Sequence, residues 1–329
     1  MRMNSANRRR FLIASGVLLA APLTAEAQPA AKLRRIGVLW QTPPPPPVHP
    51  SMVKLLQSLK DLGWEDGRTV AIEYRFAGND PDRLTQFAAE LVRQKVDVIT
   101  TAGDLSTRAA QEATATIPIV MVVGFPVESG FVKSLAHPGG NITGVAVLAD
   151  ELSVKRLELL KELMPRLSRV AVLWDPVTHE RQPKAAEAAA RTLGLQVEVL
   201  SAKTSGDLAG AFEKAAAARA DALLVLVSPM FFGNARAFAD LAARHRIPVM
   251  YPTPAFVEAG GLITYGFVVD EQWRLVAVLI DKILKGRRPA ELPIEQPTKF
   301  ELTVNLRTAK ALGLTIPRSI LARAERVIE

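Results

Sequence analysis

Short apolar runs rich in β-branched residues alternate along the chain with stretches in which apolar residues recur at helical spacing. The apolar runs predict strands at 34–40, 69–75, 96–101 and 118–123, and again at 169–174, 195–200, 221–227, 247–251, 262–265 and 299–306. The helical patterns lie between them, at 51–62, 81–94 and 104–115, and then at 151–163, 180–192, 206–218, 233–244 and 271–285. Alternation of strands with helices predicts parallel sheets.

The second half of the chain repeats the first half in the same order. The matched segments are R-I-G-V-L-W at 35–40 with R-V-A-V-L-W at 169–174, V-D-V-I at 96–99 with A-D-A-L at 220–223, and I-P-I-V at 117–120 with I-P-V-M at 247–250. Three matches in unchanged order predict an internal duplication. We therefore expect an α/β fold with two similar doubly wound parallel-sheet lobes, a hinge and a cleft between the lobes.

The N-terminal segment has the three parts of a secretory signal peptide. Arg8–Arg10 supply the charge, Phe11–Leu23 is a short apolar run, and Ala25–Ala27 is an A-x-A cleavage site. We expect cleavage of residues 1–27 and export to the periplasm. The arginines fit either the twin-arginine or the general secretory route. The chain has no cysteine, so we expect neither a disulfide nor a lipid anchor.

Two glycine-containing breaks interrupt the pattern. The first runs from His137 to Asn141 with Gly144, and the second combines Gly260 and Gly261 with Gly266. From them we take Asn141, Gly144 and Gly266 as hinge candidates. The expected lobes are 28–145 plus about 267–297, and 146–266 plus about 298–329. Pro43–Pro47, after the first strand, predicts a stiff loop that either borders the cleft or serves as a surface spacer.

Composition excludes several classes of function. The chain has 329 residues, 49% hydrophobic and 22% charged, and its net charge of +8 is spread along the sequence rather than clustered, which argues against nucleic-acid binding. Neither phosphate-binding glycine motif follows a strand, and the G-x-S-x-G elbow is absent. The four histidines, at 49, 137, 179 and 245, lack metal-ligand spacing. We expect no cofactor, no metal and no catalysis.

Polar and aromatic residues gather where the predicted strands end, which is where open parallel sheets bind ligands. The candidate ligand-binding residues from this pattern are Trp40, Gln41, Gly103, Asp104, Ser106, Phe125, Pro126, Asp175, Thr178, Met230, Phe231, Tyr251 and Thr253. For Asp104 and Ser106, a role in capping the following helix fits the sequence as well as a role in ligand binding does. Phe231 and Phe232 are consecutive, so at most one of them should face the cleft. His49, just before the first helix, fits a solvated loop better than a ligand contact.

Several segments together resemble the ABC-transporter substrate-binding proteins of the TrpX-like type. They are R-R-I-G-V-L-W at 34, G-R-T-V-A-I-E-Y-R at 67, D-R-L-T-Q-F-A-A-E-L-V at 82, T-I-P-I-V-M at 116, H-P-G-G-N-I-T-G-V at 137, K-R-L-E-L-L-K-E at 155, E-A-G-G-L-I-T-Y-G at 258 and the run from Gln296 to Pro317. The resemblance covers nearly all of the chain after the leader.

This resemblance implies a periplasmic binding protein of type 1 that traps a solute between its lobes and delivers it to ABC permease subunits powered by a cytoplasmic ATPase. Characterised relatives bind aromatic amino acids and usually work as monomers. The resemblance adds Phe267 to the candidate ligand-binding residues. The chain departs from the family at Phe125, where relatives carry aspartate in a G-D-P segment, so ligand identity is not inherited.

We therefore expect a solute-binding protein that takes a small organic molecule, either an aromatic amino acid or another aromatic or carboxylate compound. A periplasmic sensor subunit that signals to a membrane kinase is the alternative. An exported α/β enzyme ranks third, because no nucleophile, base and orienting group occur together.

Overall fold

The computed structural model describes residues 33–42, 50–147 and 149–329. The predicted leader, Pro43–Pro47 and His49 lie outside the described residues. From Arg34 to Glu329 the chain is one compact unit that contains two β-sheets.

Lobe I is built on a five-stranded parallel sheet in the order β2-β1-β3-β4-β5. Its strands are β1 (Arg34–Trp40), β2 (Val70–Phe76), β3 (Val98–Ala102), β4 (Ile119–Val123) and β5 (Ile142–Ala146). Its helices are α1 (Pro50–Asp61), α2 (Pro81–Arg93) and α3 (Asp104–Ala113). A later helix, α10 (Val269–Leu284), returns to this lobe and packs with α1 on one face of the sheet. The other face is covered by α2 and α3.

Lobe II is built on a seven-stranded sheet in the order β12-β11-β10-β9-β8-β6-β7. Its strands are β6 (Arg169–Trp174), β7 (Gln196–Ser201), β8 (Ala222–Val225), β9 (Val249–Tyr251), β10 (Ile263–Phe267), β11 (Phe300–Asn305) and β12 (Arg326–Ile328). Its helices are α4 (Ala149–Leu163), α5 (Arg181–Thr192), α6 (Leu208–Ala217), α7 (Pro229–Phe232), α8 (Ala235–His245), α9 (Pro254–Glu258), α11 (Leu306–Ala311) and α12 (Arg318–Leu321). Apolar clusters cover both faces of the sheet.

The duplication is visible at single residues. In lobe I, the backbone N–H of Arg35 at the start of β1 donates to Asp97 Oδ2 over 2.7 Å. In lobe II, the N–H of Arg169 at the start of β6 donates to Asp221 Oδ2 over 2.9 Å. Both aspartates precede the strand that pairs with the first strand of their lobe. The predicted two-lobed α/β architecture is therefore confirmed.

The structure corrects three local predictions. Strand β5 occupies part of the predicted turn-rich break at 137–144. Strands β10 and β11 pair antiparallel, whereas we expected parallel pairing throughout. The short elements α7, α9, α11, α12 and β12 were not predicted, because three to six residues carry too little periodicity to read.

The chain passes between the lobes three times, after β5, after β10 and before β11. These segments lie side by side. The N–H of Ala146 donates to Glu295 O over 2.9 Å, and the N–H of Val268 donates to Lys299 O over 3.0 Å. Of the hinge candidates, Gly144 and Gly266 lie inside strands that lead into these crossings. Asn141 lies at the opposite end of β5, where its amide donates to the carbonyls of Thr114 and Ile117 within lobe I.

A fully buried arginine ties the first helix of lobe II to the strand ends beside the crossings. Arg156 Nε donates to Tyr265 O over 2.7 Å and Nη2 donates to Pro252 O over 3.1 Å. Burial lowers the pKa of Arg156 to about 9. Because Pro252 directly follows β9, this contact fixes the loop between β9 and α9.

Candidate functional site

A cavity of about 310 Å³ lies between the lobes, at the carboxyl ends of the strands of both sheets. Lobe I lines it with Trp40, Gln41, Thr42, Ser51, Ala102, Gly103, Asp104, Val122, Val123, Gly124, Phe125, Val147, Val269, Gln272 and Trp273. Lobe II lines it with Val177, Thr178, His179, Gln182, Val227, Pro229, Phe232, Gly233, Thr253 and Ala255, and Phe267 at the end of β10 completes the lining. A ligand in this cavity would contact both lobes at once.

Aromatic rings form much of the cavity wall. The rings of Trp40 and Trp273 lie 5.1 Å apart between centroids, and Phe76 meets Trp40 edge-on at 6.2 Å. Across the cleft, the Phe125 ring of lobe I lies 5.1 Å from the His179 imidazole of lobe II. The wall therefore suits a planar, mostly apolar molecule.

Asp104 places a carboxyl group on this wall. It is the first residue of α3, directly after Gly103, and no hydrogen bond or ion pair reaches its side chain from residues 33–42, 50–147 or 149–329. Burial raises the pKa of Asp104 to about 6, while the positive charges of His179 and Arg108 act in the opposite direction. Among the described residues, Asp104 thus has no hydrogen-bond donor in the cavity.

The lobes touch at two further places. A Cβ built on Gly103, whose φ is +93°, would lie 2.8 Å from Pro229 Cγ of lobe II. Arg181 of lobe II pairs with Glu128 of lobe I and, over 2.7 Å, with Asp150 at the start of α4. Its guanidinium lies 5.7 Å from the centre of the Phe125 ring. These contacts close the cleft beside the cavity.

The cavity brings together many of the predicted residues, namely Trp40, Gln41, Gly103, Asp104, Phe125, Thr178, Thr253 and Phe267. The structure places Ser106, Pro126, Asp175, Met230, Phe231 and Tyr251 elsewhere. Met230, Phe231 and Tyr251 pack in the core of lobe II. Ser106 Oγ donates to the carbonyl oxygens of Ala102 and Gly103 in its own turn, and Pro126 is buried outside the cavity lining.

Asp175 has a structural role in the loop after β6. Its Oδ2 accepts a hydrogen bond from Ser228 Oγ over 2.7 Å, and its Oδ1 accepts one from the N–H of Val177 over 3.0 Å. Burial raises the pKa of Asp175, and these two donors act in the opposite direction. Asp175 therefore holds the loop that carries Val177, Thr178 and His179 into the cavity.

Several cavity residues were not among the candidates. Phe232 lines the cavity in place of Phe231, because α7 turns its first aromatic residue into the core. His179 is the residue after the predicted Asp175–Thr178 segment. Gln272 and Trp273 lie on α10, and only the return of that helix to lobe I brings them to the cleft. The strand-end rule could have found His179, whereas nothing in the local sequence marks Gln272.

Among the described residues, no group of three or more histidine, aspartate or glutamate side chains is arranged to hold a metal ion. No helix in that part of the chain is long and apolar enough to span a membrane.

The chain belongs to the ABC transporter substrate binding protein family, whose model matches residues 48–328. It is 29% identical over 274 residues to the tyrosine-binding protein of Clostridioides difficile strain R20291, covering 81% of this chain and 78% of the relative. The family is one of binding proteins rather than enzymes.

Solved structures share the fold. A conserved domain protein from Vibrio cholerae O1 biovar El Tor superposes with a TM-score of 0.84 at 27% identity, covering 90% of this chain and all of that protein. An ABC domain from Streptococcus pneumoniae in complex with L-Trp gives 0.82 at 24% identity, with the same coverage. These similarities support the periplasmic binding protein type 1 architecture.

Proposed function

We propose that this protein is the periplasmic solute-binding component of an ABC importer, which captures a small ring-bearing organic solute between its lobes and delivers it to membrane permease subunits. The observation that carries the proposal is the cavity itself, whose wall comes from both lobes and is largely aromatic and apolar. A solute that contacts both lobes favours the closed arrangement because it binds that arrangement better than the open one.

Two relatives support the ring-bearing class of solute. The Clostridioides difficile relative is named a tyrosine-binding protein, and the Streptococcus pneumoniae structure holds L-Trp. In this chain the pair of rings formed by Trp40 and Trp273 offers a surface for a planar group. The proposal includes export by the leader at 1–27, without a lipid anchor, and action as a monomer. It divides the lobes at 28–145 plus 267–297 and 146–266 plus 298–329.

The proposal is tested by a thermal-shift screen of residues 28–329 against aromatic amino acids, aromatic amines, aromatic acids, purines and short organic acids. A solute that binds the folded protein raises its melting temperature, by an amount that grows with the logarithm of the ratio of concentration to Kd. Small-angle scattering with the best solute should then show a smaller radius of gyration than the solute-free protein. Binding without compaction would contradict capture by closure, and no shift with any solute would contradict the solute class.

Delivery is tested by cross-linking the periplasmic protein in cells that express it with its own leader. We expect capture of permease subunits. Recovery of a membrane kinase without a permease would overturn the importer role and support the sensor alternative instead.

A further inference from the structure

The cavity wall contains a carboxyl group that accepts no hydrogen bond from the described residues. The carboxyl of Asp104 has no partner in the described part of the chain, and Gln272 Oε1 is buried there without a hydrogen bond, in a residue only 5% exposed. A buried acceptor such as Gln272 Oε1 costs free energy while no donor reaches it, but this oxygen is closed off from the cavity as well. Asp104 is half-buried and lines the cavity, so a solute that supplies an N–H donor would satisfy its carboxyl group.

The cavity also lacks a permanent positive charge. Among the described lining residues, Asp104 and His179 are the only ones with an ionisable side chain, and none is lysine or arginine. The two guanidinium groups nearby have other partners. Arg108 lies 4.5 Å from the centre of the Phe131 ring and donates to Gln111 and Ser129, while Arg181 is paired with Glu128 and Asp150. A carboxylate in the cavity would face Asp104 with no lysine or arginine to compensate it.

We propose that this cleft selects its solute by a positively charged nitrogen, an ammonium group that donates to Asp104 while the attached ring lies against the aromatic wall. This inference rests on the proposed function and narrows it to ring-bearing amines, for which a carboxylate is dispensable. Asp104 is the specificity-determining residue. Among the described lining residues, Asp104 is the only one with an acidic side chain. The neighbouring G-F-P segment contributes Phe125, which carries no charge.

The pH dependence of binding follows from this assignment. An ammonium group needs Asp104 ionised, and burial raises the pKa of this carboxyl to about 6. At pH 7.5 nearly all of the solute-free protein is competent, whereas at pH 5 only about a tenth is, so the apparent Kd should rise about tenfold. A solute that carries only a carboxylate should show the opposite trend, because it requires Asp104 to be protonated.

The test uses three probes that share one ring, namely tyramine, L-tyrosine and 3-(4-hydroxyphenyl)propionate, titrated calorimetrically into residues 28–329. At pH 7.5 we expect tyramine and L-tyrosine to bind and the propionate to bind at least tenfold more weakly. D104N should weaken tyramine binding at least tenfold and remove the part of the pH dependence due to Asp104.

The control variant is D82N, because Asp82 likewise lies in the first turn of a helix of lobe I but is exposed. We expect D82N to bind tyramine as the unmodified protein does. Equal affinity for tyramine and the propionate at pH 7.5, or unchanged tyramine binding in D104N, would overturn the inference. The inference would also be overturned if only solutes without a basic nitrogen raised the melting temperature and reduced the radius of gyration. That result would still support the proposed function. The comparison of the three probes needs no variant, so it remains decisive if D104N does not fold.

Discussion

Gly103 is a point of close approach between the two lobes beside the cavity. Its φ of +93° is strained for any residue with a Cβ, and that Cβ would meet both Gln41 Oε1 and Pro229 Cγ at 2.8 Å. We predict that G103A lowers the free energy of unfolding by about 1–3 kcal/mol through the backbone, because φ +93° with ψ +163° is a region that essentially only glycine occupies. It should also weaken solute binding at least tenfold, because Pro229 can no longer approach lobe I. Chemical denaturation and calorimetric titration measure the two effects.

The matched control for this substitution is G130A. Gly130 also has a positive φ, +71°, but nothing lies within 4 Å of its Cβ position. We expect a similar loss of stability with no change in solute affinity. Equal effects of G103A and G130A on affinity would mean that the approach of Pro229 to Gly103 does not contribute to binding.

The Asp104 carboxyl should also make the stability of the solute-free protein depend on pH. Its pKa in the folded protein is about 6, raised by burial from the ordinary value of 3.8. Between these values the folded state binds more protons than the unfolded state, so stability falls as pH rises through this range. We predict that the stability of the unmodified protein, relative to D104N, declines from pH 4 to pH 6.5 and is constant above. Urea unfolding of both proteins across this range checks the sign, and an increasing difference would contradict it.

At the residue scale, sequence reasoning finds the strand ends but not which side chain faces inward. Phe231 and Phe232 are adjacent and chemically identical, and the orientation of the four-residue helix α7 decides between them. That orientation depends on the Ser228 cap and on packing against Phe238, whose ring lies 5.2 Å from that of Phe231. Such tertiary contacts cannot be obtained from local pattern.

At the scale of single elements, strand β5 depends on a glycine that we expected to be a hinge. A Cβ on Gly144 would lie 2.1 Å from Met121 O of the neighbouring strand β4. We predict that G144A lowers the free energy of unfolding by about 2–4 kcal/mol, because β4 and β5 must separate to accept the methyl group. G140A, in the preceding turn with open space around it, should change stability by less than about 1 kcal/mol. Denaturant melts of both variants test this, and equal melts would show that the close approach has no energetic weight.

A comparison of β5 with β1 and β11 shows why some elements could be predicted from the sequence and others could not. Strand β1 is a run of buried apolar residues after two arginines, typical of a parallel strand covered on both faces. Strand β5 has the sequence I-T-G-V-A and follows a Pro-Gly-Gly-Asn turn. Because the strand itself contains a glycine, Gly144, we included it in the predicted break. The antiparallel return of β11 follows from the third crossing between the lobes, and local sequence contains no signal for the direction in which a returning strand runs.

At the scale of the whole molecule, the contact between Arg181 and Glu128 joins the lobes beside the cavity. Both side chains are partly exposed, at 51% and 38%, so the pair contributes at most about 1 kcal/mol. All of that contribution is confined to the closed arrangement, because the partners belong to different lobes. We therefore predict that E128Q weakens solute binding up to about fivefold without lowering the melting temperature of the solute-free protein by more than about 1–2 °C.

Salt separates this contact from a general effect of removing charge. Screening weakens exposed ion pairs, so the difference in Kd between E128Q and the unmodified protein should shrink as the salt concentration rises from 0.02 M to about 1 M, where the Debye length is about 3 Å. E180Q is the control, since Glu180 pairs with Lys184 one helical turn away within lobe II. It should leave Kd unchanged at both salt concentrations. Two results would show that the ion pair contributes nothing: equal behaviour of E128Q and E180Q, or a difference in Kd for E128Q that persists in 1 M salt. Closure would then depend on the contacts of Phe125 with His179 and of Gly103 with Pro229.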